Sequence, residues 1–113
     1  MKNTAEKMDC KIAISSNEKY MTPYFGHCYS FDIVEVKDGK IAKREQVLNP
    51  GYDTDFLPKF LFKKGISHVM AGHIDQEMKA SLNNNNIKLL LGISGEIDDV
   101  IEKFVNGNLK WRF

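Results

Sequence analysis

The chain has only two cysteines, Cys10 and Cys28, so no disulfide framework is indicated and a thiol is available for metal or redox chemistry. It has no excess of either charge: 16 Lys and Arg stand against 15 Asp and Glu, with the two signs interspersed. That excludes an extended basic face drawing in a phosphate backbone by counterion release, and no nucleic-acid partner is expected. No apolar run approaches the ~20 residues that a membrane-spanning helix requires. Residues 1–9 are polar where a signal peptide carries an apolar centre. No membrane partner and a cytoplasmic location are therefore expected. Several sequence signatures are missing as well: there is no Walker loop, GxGxxG run, GxSxG elbow, HExxH or CxxC. The common signals of nucleotide, hydrolase, zinc-protease and thioredoxin chemistry are thus absent.

What is present reads as one folded domain. A chain of 113 residues, 42% hydrophobic and 27% charged, is large enough for one core and too short for two. Residues 1–9 lack periodicity and are expected to be a disordered leader, with the domain over 10–109 and a tail over 110–113. Trp111 and Phe113 in that tail are expected to pack back on the domain rather than to form a dimer contact.

The periodicity predicts the order β-β-β-α-β-α-β-α. Residues 10–15 form a short first strand, ended by a long polar connection over 16–28. Residues 29–36 alternate, Asp38-Gly39 supplies a hairpin turn, and 41–48 return antiparallel. Asp53, Thr54 and Asp55 offer caps to a helix whose apolar residues are Phe56, Leu57, Phe60 and Leu61, closed by Gly65 with Ile66 in a Schellman contact. Residues 68–71 and 87–91 are apolar strands. Between them runs a helix capped by Asp75 and ended by the asparagines 83–86. The last helix carries Ile97, Val100, Ile101, Phe104 and Val105 at i, i+3, i+4, i+7 and i+8.

The three leading strands pair as a meander, and each later strand arrives through a helix and joins in parallel. A five-stranded mixed sheet in the order 3-2-1-4-5, with strand 2 antiparallel, satisfies this most simply. Residues 16–28, 49–55, 72–75 and 92–95 then share one edge, the side on which open α/β sheets bind ligands. Cys10 and His68 start strands and belong to the opposite edge.

At the shared edge His27 and Cys28 are adjacent and His73 follows strand 4, so two imidazoles and a thiolate are candidate ligands for a soft or borderline metal. Spacing alone favours the alternative, in which the histidines are exposed loop residues and Cys28 is a small buried hydrophobe. Asp53, Asp55 and Asp75 are better explained as helix caps than as oxygen ligands. Tyr20, Tyr24, Phe25 and Tyr29 give the long loop an aromatic character that suits either shielding a ligand or packing on the sheet. Gly72 and the glycines of 92–95 fit tight turns better than an anion site.

The chain resembles the dinitrogenase iron-molybdenum cofactor biosynthesis family, which includes the NifX-like carriers and the carboxyl-terminal domain of NifB-type proteins. The resemblance covers residues 11–109. It is carried by Lys11-Ile-Ala-Ile-Ser15, Pro23-Tyr-Phe-Gly-His-Cys28 followed by Phe31, Asp38-Gly39, Gly65-Ile66, Val69-Met-Ala-Gly72, Asn86-Ile-Lys88 and the ending through Phe104 and Asn106-Gly-Asn-Leu109. It implies a ribonuclease H-like three-layer α/β fold and a non-catalytic carrier or scaffold for an iron-sulfur or iron-molybdenum type cluster. Metal-cluster donor or acceptor proteins are the implied partners, and a monomer or weak homodimer is expected. Tyr24, Phe25, Gly26 and Gly72 become the cofactor-binding candidates, and Cys28, His27 and His73 the metal ligands. Tyr24 stands where the family usually has the histidine of His-Phe-Gly, and Gly72-His73 replaces a common Gly-Gly.

Two rival functions remain. A metal-free regulatory or interaction module of the same fold is compatible with Tyr24. An enzyme using Cys28 as nucleophile ranks last, because adjacent residues on an extended segment point to opposite faces and leave His27 poorly placed as its base.

Overall fold

The structure, a computed structural model, describes residues 9–111. Most of the expected leader, and Phe113 of the tail, lie outside the described residues. Six strands and three helices form a mixed α/β domain: β1 (Cys10–Asn17), β2 (Tyr20–Met21), β3 (Ser30–Lys37), β4 (Lys40–Leu48), α1 (Phe56–Lys63), β5 (His68–Met70), α2 (Gln76–Asn84), β6 (Lys88–Leu90) and α3 (Ile97–Val105). Among the described residues no helix is long and apolar enough to cross a membrane.

The sheet runs β4-β3-β1-β5-β6, with β2 added to the end of β1. Strands β5 and β6 lie parallel to β1, and β3 opposes both β1 and β4. Alternation along each strand divides the core between the two faces. Ala13, Phe31, Ile33, Val69 and Leu89 pack beneath Leu57 and Leu61 of α1 and Met78 and Leu82 of α2. Ile12, Ile14, Val34, Met70 and Leu90 pack against Ile97, Val100, Ile101 and Phe104 of α3. Helices therefore cover both faces, which is why β1 is buried along almost its whole length.

Local chemistry sets the boundaries. Asp38 and Gly39 adopt φ values of 53° and 75°, the left-handed pair that a two-residue hairpin turn requires. Asp53 accepts from the backbone N–H groups of Asp55 and Phe56, each at 2.8 Å, and is the aspartate that caps α1. Asp75 caps α2 by accepting from Met78 N–H at 2.9 Å. Asn86 ends that segment at φ 61°. Ile66 donates to Leu61 O at 3.1 Å and is buried, closing α1 as anticipated. Trp111 packs on Phe104 with ring centroids 6.0 Å apart, so this part of the tail returns to the domain.

Three expectations are corrected. The first strand runs on to Asn17 instead of stopping at Ser15, and the polar connection holds an additional strand, β2, reached through Glu18 at φ 60°. Ser15 and Ser16 are fully buried yet satisfied. Ser16 Oγ donates to Asp32 Oδ1 at 3.1 Å and lies 3.1 Å from Ser30 O, and paired hydroxyls cost little inside a sheet. On α1, Leu57 and Leu61 are buried as expected, but Phe56 is 53% exposed and Pro58 is buried in addition.

A candidate cofactor-binding loop cluster

Backbone pairing draws the 22–28 connection onto the ends of β1 and β5. His73 N–H donates to Pro23 O and Phe25 N–H donates to His73 O, both at 2.9 Å, so 23–25 runs beside 72–74 as a short parallel bridge. Phe25 anchors the loop: its ring is 1% exposed and lies 5.4 Å from that of Phe31. Gly26 N–H donates to Ser15 Oγ at 2.9 Å. Gly26 has φ +88°, and a Cβ there would lie 2.5 Å from the Tyr52 ring, so only glycine fits. A Cβ on Gly72 would meet Pro23 O at 2.8 Å, which holds that position to glycine as well.

The 49–55 connection straps the loop from the other side. Asn49 Nδ2 donates to Gly26 O and Cys28 O at 2.9 Å each and lies 3.7 Å from Cys28 Sγ. Tyr52 stacks on His27 and its phenol donates to Asp75. Burial raises the Tyr52 phenol, and the neighbouring Asp75 carboxylate raises it further. The same hydrogen bond, followed by that from Met78 N–H, lowers Asp75.

The four connections thus gather at one edge, and the candidate ligands divide among them. His73 is exposed and stacks on Tyr24, with centroids 5.4 Å apart and planes at 29°. It lines a cleft of about 370 Å³ with Met21, Thr22, Pro23, Gly72 and Ile93. His27 is exposed and faces Tyr52. Cys28 is half-buried against the core below α1 and α2. Burial raises its thiol, opposed by hydrogen bonds from Ser15, Ser16, Asn49 and Gly26. Among the described residues, no three His, Cys, Asp or Glu side chains are grouped to hold a metal ion. A closed ligand set for a resident ion is therefore not built from His27, Cys28 and His73. Of the cofactor-binding candidates, Gly72 lines the cleft and Tyr24 adjoins it through its bridge to His73, whereas Phe25 and Gly26 are buried and anchor the loop.

Residues that the sequence reading left out are Met21, Thr22 and Ile93 on the cleft wall, and Asn49 and Tyr52 in the strap. Asn49 carried a turn signal only, and nothing in its neighbours pointed to Cys28, 21 positions away. Cys10 and His68 lie at the starts of β1 and β5, away from this edge. Burial, then Asp9, pushes the Cys10 thiol up to about 11. Burial and then Lys88 lower His68.

A mixed sheet covered on both faces by helices, with a glycine-bordered cleft beyond the carboxyl ends of its parallel strands, defines the chain as a mixed α/β domain whose cleft lies at the edge where open α/β sheets generally bind ligands. The sequence profile of the dinitrogenase iron-molybdenum cofactor family matches residues 8–107, and the chain belongs to that family. It is 24% identical over 106 residues to the uncharacterized protein MJ0580 of Methanocaldococcus jannaschii, a match covering 88% of this chain and 89% of that protein. The crystal structure of PH0822 superposes with a TM-score of 0.82 at 25% identity, covering 91% of this chain and 96% of the other. The apo form of the orange protein from Desulfovibrio gigas superposes with a TM-score of 0.73 at 18% identity, covering 94% and 95%, a likeness of fold.

Proposed function

We propose that this chain is a non-catalytic carrier or scaffold that accepts an iron-sulfur or molybdenum-iron-sulfur cluster as cargo and passes it between donor and acceptor proteins. The observation that carries the reading is the cleft of about 370 Å³ bordered by Gly72 and His73 in a member of the iron-molybdenum cofactor family. Tight ligation of an iron-sulfur cluster uses a full set of thiolates, whereas a cargo that must be handed on is held by a shaped recess and few protein donors. In this reading His73 donates at the cleft itself; Cys28, which lies outside the cleft lining on the adjoining loop, is the principal thiolate donor once that loop yields, and His27 beside the strap assists. The mixed sheet with helices on both faces is, in this reading, a ribonuclease H-like fold that serves to hold a cargo.

Anaerobic reconstitution with iron and sulfide, followed by absorption spectra, tests the proposal. The expected result is a sulfide-to-metal charge-transfer band in the native chain that is lost in Cys28→Ala and weakened in His73→Ala. Equal binding by Cys28→Ala rejects Cys28 as the donor. A native chain that stays metal-free under every loading condition favours the second reading, a metal-free interaction module. The specific observation behind that reading is the engagement of both loop imidazoles in aromatic stacks with Tyr24 and Tyr52.

A further inference from the structure

Helix α1 carries aromatic and basic residues on the side that the core does not use. It buries Leu57, Pro58 and Leu61, and at about 100° per residue the opposite side presents Lys59 and Lys63 at its centre. Phe62 lies to one side of this pair and Phe56 with Phe60 to the other. Phe56 and Phe62 are each 53% exposed. Phe56 stacks on Phe60 with centroids 6.0 Å apart, and Lys64 lies over the Phe60 ring at 5.2 Å.

Fold stability accounts for little of this. Lysines near a helix carboxyl end favour the dipole, and Phe56 gains a stack on Phe60, but about half of Phe56 and of Phe62 still stays in water on one eight-residue helix. Of the lysines, Lys59 pairs with Asp55 at 3.2 Å on an open surface, a contact of small value. Among the described residues, Lys63 and Lys64 join no salt bridge, and the first turn of α1 holds no acid. In a chain whose overall charge is nearly balanced, Lys63 and Lys64 thus stand without a paired acid among the described residues and Lys59 is held only by an exposed contact, all three beside aromatic rings.

We propose that the outer face of α1 is a docking surface for an acidic segment of a partner protein, whose carboxylates meet Lys59 and Lys63 while its apolar side chains cover Phe56 and Phe62. Aromatic rings flanking a charge pair exclude water from it, the arrangement in which an interfacial ion pair gains most. A bilayer is the poorer occupant, because an interfacial helix places its apolar residues at the centre of the buried face and its cations at the margins. The surface is independent of the cluster-carrier reading, and neither requires the other.

The test uses the full chain labelled with nitrogen-15 and titrated with a soluble glutamate-rich peptide carrying leucines on one helical face. Its glutamine-for-glutamate counterpart is the control. Amide shifts confined to α1 and its flanks are expected, with binding weakened about tenfold or more by Lys63→Glu and by Phe62→Ser. Lys63→Gln, the milder surface change, is expected to fall between the native chain and Lys63→Glu, with the native spectrum elsewhere retained. Shifts that map away from α1, or equal binding of the glutamine peptide, would overturn the proposal. So would binding only to vesicles of anionic phospholipid, or concentration-dependent self-association of the native chain that Lys63→Glu abolishes, since these assign the face to a membrane or to a second copy.

Discussion

The imidazole of His27 lies flat on the phenol ring of Tyr52, with centroids 4.3 Å apart and planes at 19°, and the Tyr52 hydroxyl donates onward to Asp75. One side chain thus ties the cysteine-bearing loop to the cap of α2. Tyr52→Phe keeps the stack and removes the hydrogen bond, with an expected loss of about 0.5–1.5 kcal/mol. Tyr52→Ala removes both, and about 1–3 kcal/mol is expected. Urea denaturation of the two variants separates the contributions; equal losses would show that the ring contact adds nothing.

The same pair sets a pH dependence at both ends of the scale. Asp75 is held below its usual range, first by Tyr52 and then by Met78 N–H. Its contribution is complete above the unfolded value of about 3.9 and is lost as pH falls through the lowered folded value. Tyr52 is raised, first by burial and then by Asp75, so its contribution is complete below about pH 10 and is lost as pH rises through the folded value. Tyr52→Phe should flatten both limbs of a stability-versus-pH curve. Limbs identical to those of the native chain would remove this pair as their source.

Gly26→Ala confronts two obstacles, a left-handed φ of +88° and a Cβ at 2.5 Å from the Tyr52 ring. A loss of about 1–3 kcal/mol is expected. In the double variant with Tyr52→Ala the clash disappears and the backbone cost persists, so the two losses should be less than additive. Full additivity in thermal unfolding would mean that the close approach carries no energy.

Arg44 bridges the sheet to α3, at 3.0 Å from the buried Asp32 and 2.7 Å from the exposed Asp98. Arg44→Ala strands a buried carboxylate that retains Ser16 and Gln46 as donors, and a loss of about 1–3 kcal/mol follows. Asp98→Ala breaks only the solvent-exposed half and should cost about 0–1 kcal/mol. Chemical denaturation of the two variants in parallel checks the ranking, and the reverse order would reject it.

The two thiols should differ in reactivity. Cys10 is buried, with its thiol at about 11, whereas Cys28 is half-exposed and raised by burial against four sets of opposing hydrogen bonds. Native-state alkylation at neutral pH is expected to modify Cys28 first. Asn49→Ala should slow that reaction by withdrawing a donor from the sulfur. Mass spectrometry of the modified peptides decides it, and faster labelling of Cys10 would contradict the assigned burial.

Legibility in the sequence followed the range of the physics. The amphipathic pattern of α3, the Asp38-Gly39 turn, the Asp75 cap and the end of α2 within the asparagines 83–86, where Asn86 is left-handed, are each decided within a few residues and each appears in the structure. β2 escaped notice because two residues carry no periodicity. The extension of β1 through Ser16 depends on a hydroxyl satisfied by Asp32, 16 positions on. Phe56 matched the apolar pattern of α1 yet faces solvent, since residues 56 and 57 both fit the spacing and packing chose Leu57.

For the candidate site, the sequence alone determined which chemical groups are present, which loops carry them and to which family the pattern is similar, because residue type and turn chemistry are local properties. Only the tertiary structure decided that His73 stacks on Tyr24 while His27 stacks on Tyr52, and that Cys28 sits half-buried beneath the Asn49 carboxamide. Side-chain direction at a loop follows from contacts with segments distant in the chain, and those exist only once the sheet has brought its connections to one edge.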